Sequence, residues 1–72
     1  MTNEQLITMA NQIGAFFKSY PDQAQANLDI GMHLNRYWAL AMRQQIAQHV
    51  TDNAGSGLEP NVINAIKEHI KL

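Results

Sequence analysis

Seventy-two residues allow one small domain, 1–72, and no second. Hydrophobic residues make up 46% of the chain, too many for a disordered tail; five basic against six acidic residues leave a net charge of -1, so no global field draws in nucleic acid or anionic lipid. The absence of cysteine rules out a disulfide framework, a thiolate metal site and a thiol nucleophile, and a short chain without such staples fits the reducing cytoplasm better than secretion.

The opening Met1-Thr2-Asn3-Glu4-Gln5 has no basic region, which predicts no signal peptide. No apolar run approaches the roughly 20 residues of a membrane span. From Leu6 onward the chain reads as helix. Leu6, Met9, Ile13, Phe16, Phe17 and Tyr20 recur at steps of three and four. Thr2 with Gln5 has the form of a capping box. Pro21 disfavours helical dihedrals at Tyr20, so the first helix is expected over about 3–19.

Pro21 suits the first position of a second helix, and Asp22 suits its positive end. Ala26, Ile30, His33, Leu34, Tyr37 and Trp38 form the second stripe, interrupted by Gly31, which either weakens the helix or lets a neighbour approach closely. No Gly or Pro separates this stripe from Met42, Ile46 and Val50. The pattern therefore permits a single helix over 21–51, but about 45 Å of helix is long for so small a domain. A break around 38–41 is expected, giving helices near 22–37 and 40–51. Thr51 to Gly57 is rich in turn formers. Pro60 then suits the start of a last helix near 60–71, with Ile63, Ile66 and Ile70 on its apolar face. The fold class is all-α, a small bundle of three to four helices.

No catalytic constellation stands out. His33, His49 and His69 sit in three separate segments without the spacing of helical metal ligands, and each is expected at a core edge with a nitrogen hydrogen-bonded. Gly55 and Gly57 lack the Lys-Ser/Thr of a phosphate loop. Asn11-Gln12 either enters a hydrogen-bond network or faces solvent. Tyr37, Trp38 and Arg43 are of the types enriched at binding hot spots; Trp38 is either the main core aromatic or an interface residue. Phe16 and Phe17 point about 100° apart, so one enters the core and the other need not. A domain of this length hides only about 60% of the surface its unfolded chain exposes, which favours a module that docks on something larger.

The ordered set Met9-Ala10-Asn11-Gln12-Ile13, Phe16-Phe17, Tyr20-Pro21, His33-Leu34, Arg36-Tyr37-Trp38 and Met42-Arg43 continues through His49, Gly55, Gly57-Leu58, Pro60, Val62 and Ala65. It resembles the delta subunit of NAD-dependent formate dehydrogenase over nearly the whole chain. The resemblance implies a non-catalytic accessory subunit of a soluble cytoplasmic complex that oxidises formate to carbon dioxide and reduces NAD+. It implies no cofactor, catalytic residue or metal in this chain. A molybdenum (or tungsten) pterin, iron–sulfur clusters, FMN and the NAD site belong to the catalytic and diaphorase partner subunits. Docking is expected through a face containing some of Phe17, Tyr37, Trp38 and Arg43, and an isolated chain can pair with itself through the same apolar face. The family usually reads Trp-Asp-Pro-x-Met-Arg where this chain has Trp38-Ala39-Leu40-Ala41-Met42-Arg43, so the capping signal for a third helix is missing. A small helical nucleic-acid-binding regulator is the alternative from another class, disfavoured by the charge balance. A metal enzyme built on the three histidines is a third.

Overall fold

The computed structural model describes residues 1–72 and contains four helices: α1 (Asn3–Phe17), α2 (Gln23–Tyr37), α3 (Leu40–Asn53) and α4 (Pro60–His69). The capping box is present. Gln5 N–H donates to Thr2 Oγ1 at 3.2 Å, and Thr2 N–H donates to Gln5 Oε1 at 3.0 Å. α1 ends at Phe17, not Ser19, because the chain tightens before Pro21: Lys18 N–H reaches Ala15 O and Tyr20 N–H reaches Phe17 O. Pro21 does not begin α2. Asp22 takes the N-cap position, its carboxylate accepting from Gln25 N–H at 3.2 Å, which moves the proline outside the helix.

α2 and α3 are separate helices. Trp38 (ψ 134°) and Ala39 (ψ 152°) are both extended, and no side chain caps α3. The break is held from elsewhere. Arg43, in the first turns of α3, donates from Nη1 to the Asn35 carbonyl at 3.1 Å, satisfying a C-terminal carbonyl of α2. The extended step carries Trp38 into the core, where it is 6% exposed.

α3 runs to Asn53, two residues past its expected end. The two turn formers are used inside the helix: Gln48 donates to the Asp52 carboxylate at 2.7 Å, and the Asn53 amide meets the His49 ring at 3.2 Å. Ala54 (φ 54°) and Gly55 (φ 69°) then turn the chain through the left-handed region. α4 starts at Pro60 as expected but stops at His69. Asn35 is the cause. Its amide donates to the His69 carbonyl at 2.9 Å, and its Oδ1 accepts from Lys71 N–H at 2.8 Å, drawing the last residues out of the helix.

The core joins Leu6 and Ala10 of α1, Ile30 and Leu34 of α2, Trp38, Ile46 and Val50 of α3, and Val62, Ala65 and Ile66 of α4, with Leu58 between. α2 and α4 make the tightest pairing in the fold. A Cβ at Gly31 would collide with His69 Cβ, and one at Gly14 with Val62 Cγ2, so both glycines are close-approach points against α4. Asn11 acts on the other end of α4 as Asn35 does on its tail: Nδ2 donates to the Gly57 carbonyl and Oδ1 accepts from Glu59 N–H, both at 2.9 Å. No helix is long and apolar enough to cross a membrane.

Candidate interaction surface

The buried stripe of α1 is narrower than its apolar pattern. Leu6, Ala10 and Gly14 point straight into the bundle. Met9, Ile13 and Phe17 are half-buried beside them, and Phe16 stands 72% exposed. The surplus faces the C-terminal half of α2 and the first turn of α3. Together they form an open groove whose walls include Met9, Ile13, Phe16, Tyr37 and Met42, with Trp38 among its lining residues. Phe16 and Phe17 pack edge to face at 5.0 Å, and Phe17 meets Tyr20 the same way at 5.1 Å. These pairs cluster the rings at the C-terminal end of α1, on one side of the groove.

A second, more polar groove continues from the first, since Phe17, His33 and Tyr37 line both. It adds Leu28 and Met32 on its apolar side and Arg36, Arg43 and Lys71 on its charged side. Tyr37 is the hinge of the whole surface. It is 65% exposed, its ring lies 4.7 Å from His33, and the Arg36 guanidinium sits 5.6 Å above it. A contiguous apolar and aromatic surface of this kind is a candidate interaction surface.

The four residues singled out from the sequence all border this surface but differ in character. Phe17 is half-buried, Tyr37 is exposed, and Arg43 is half-buried with its Nη1 committed to Asn35. Trp38 is part of the core and presents only an edge. Phe16 and Met32 are the large exposed apolar residues the hot-spot reasoning missed; Met32 is 57% exposed. The signal for Phe16 was the double phenylalanine, which overfills a single helical stripe.

The three histidines do different things. His49 is buried, with Nε2 at 2.7 Å from the Ser56 carbonyl and Nδ1 facing the Asn53 amide. A carbonyl only accepts, so Nε2 donates and Nδ1 accepts, and the ring ties the 54–58 turn to α3. His33 lies tilted against the Tyr37 ring, while His69 packs under Gly31 and lies 3.6 Å from Glu68. No three His, Cys, Asp or Glu side chains converge as a metal site requires, and without cysteine the donor set does not suit an iron–sulfur cluster. Of the amide pair in α1, Asn11 enters a hydrogen-bond network and Gln12 faces solvent.

Fold and surface define a class: a small all-α module that carries an open apolar and aromatic groove on its surface. The chain matches, over residues 5–71, the family model described as NADH-dependant formate dehydrogenase delta subunit FdsD, and it belongs to that family. No curated protein and no solved structure matches it.

Proposed function

We propose that this chain is a non-catalytic accessory subunit that supports assembly, stability or cofactor maturation of a cytoplasmic formate-oxidising, NAD+-reducing complex. On this reading the molybdenum pterin, iron–sulfur clusters, FMN and NAD site reside in the catalytic and diaphorase subunits, and this chain docks on them through the surface bordered by Phe17, Tyr37, Trp38 and Arg43. The observation that carries the reading is the open aromatic groove between α1, α2 and α3 in a member of the delta-subunit family. Its supports include a donor set unsuited to a cluster and a chain too small to enclose a substrate deeply.

The test is co-expression with the other formate dehydrogenase subunits. Wild-type chain is expected to co-purify with them, and omitting it is expected to lower the yield of holoenzyme that makes NADH from formate. The double variant Phe16→Asp/Tyr37→Asp is expected to keep its helical circular dichroism and lose co-purification. Unchanged holoenzyme yield without the chain, or formate oxidation by the purified chain alone, would sink the proposal.

A further inference from the structure

The charge around the groove is not that of the molecule. The chain carries a net charge of -1, with five Lys and Arg against six Asp and Glu. Yet three of the five cations, Arg36, Arg43 and Lys71, line the polar continuation of the groove, and Asp29 is the one acidic residue there. His33 and His69 lie among them. Asp29 is itself engaged, accepting from the Gln25 amide at 3.0 Å.

None of these cations is neutralised within the chain. The one contact between a basic and an acidic side chain in the structure joins His69 to Glu68 at 3.6 Å. Arg36 contacts only the face of Tyr37 among charged or aromatic groups, and Arg43 donates from Nη1 to a carbonyl while its Nε is buried without a partner. Surface cations are ordinarily interspersed with acids. Here they gather unpaired along one edge of the apolar groove, so the edge is basic while the remainder of the molecule is net acidic.

From this arrangement, and resting on the docking role proposed above, we infer the chemistry of the occupant: a segment of a partner subunit with apolar side chains on one face and carboxylates flanking them. The apolar face seats against Phe16, Tyr37 and Met42. The carboxylates meet the exposed Arg36, whose planar guanidinium offers paired N–H groups, and Lys71, with the half-buried Arg43 adding positive charge behind them. A second copy of this chain fits less well, because it brings the same cations and the same single acid to the contact.

Two measurements on the co-expressed complex test this. A water-soluble carbodiimide joins an amine to a carboxylate with no spacer. It is expected to couple Lys71 to an Asp or Glu in an apolar-flanked partner segment, and to leave Lys67, exposed on α4 outside the groove, uncoupled. Coupling at Lys67 with none at Lys71 would overturn the inference. The variant Arg36→Glu/Lys71→Glu changes two exposed side chains that make no ion pair, and circular dichroism checks its fold. It is expected to bind the partner subunits at least about tenfold more weakly, and wild-type binding is expected to fall with salt more steeply than the variant's. A folded variant that binds like wild type overturns the acidic occupant while leaving the subunit role intact. Failure of the wild-type chain to co-purify with any formate dehydrogenase subunit overturns both, as does recovery of the chain only as a self-paired dimer.

Discussion

α2 presents apolar residues to two neighbours with opposite results. Against α4 it closes. Gly31 lets the helices touch, Ala65 and Ile66 meet Ile30 and Leu34 in the core, and Asn35 fastens the tail beyond His69. Against α1, near the C-terminal ends of both helices, it stays open, with Phe16, Tyr37 and Met32 in solvent around the groove. Both regions are apolar, so hydrophobicity does not distinguish them. Side-chain volume does: Gly31 lets the backbones of α2 and α4 approach, whereas the bulky Phe16, Phe17 and Tyr37 line the open groove. The closed crossing buries its apolar surface within the fold, and the open one leaves it in solvent, where the docking role proposed above would use it.

That contrast is breakable at three points. The largest effect is expected at the closed crossing. Gly31→Leu gains under about 1 kcal/mol of helix propensity but places a side chain where His69 already stands, so a net loss of about 3 kcal/mol is expected in chemical denaturation. A variant as stable as wild type would show that α2 and α4 slide apart cheaply. Next, Asn35→Ala removes two hydrogen bonds to the tail and is expected to cost about 1–2 kcal/mol, with faster amide exchange at Lys71. Unaltered exchange there would mean the tail is held by packing alone. The smallest effect is expected in the open region. Phe16→Ser should shift stability by less than about 0.5 kcal/mol, because the ring is mostly in water already. A loss of several kcal/mol on thermal melting would place Phe16 in the core's service.

Much of the fold was legible because it rests on local chemistry. Thr2 with Gln5 and Pro60 act within a few residues of their place in the chain, and helical spacing marked the apolar faces. The separation of α2 from α3 was expected from length alone. Its fastening, Arg43 on the Asn35 carbonyl, is a contact between elements that spacing does not encode. The same limit hid the early end of α4: Asn35 reaches His69 and Lys71 across more than thirty positions, and an asparagine inside a helical stripe carries no sign of its target. Of the surface, Phe17, Tyr37, Trp38 and Arg43 came from residue type and do border one face, but type could not tell that Trp38 would turn inward. The basic edge was invisible for a further reason: Arg36, Arg43 and Lys71 look scattered along the chain and assemble only when the tail folds back on α2.

Asn35 therefore has a role beyond holding the tail. Its carbonyl anchors Arg43 and its amide anchors the backbone of Lys71, so one residue fixes the start of α3 and the end of the chain relative to each other. Of the three cations, Arg43 is tied to Asn35 through its guanidinium and Lys71 through its backbone N–H before any encounter. On the docking role proposed above, less motional freedom is then left to surrender on association, a gain in affinity that needs no added contact.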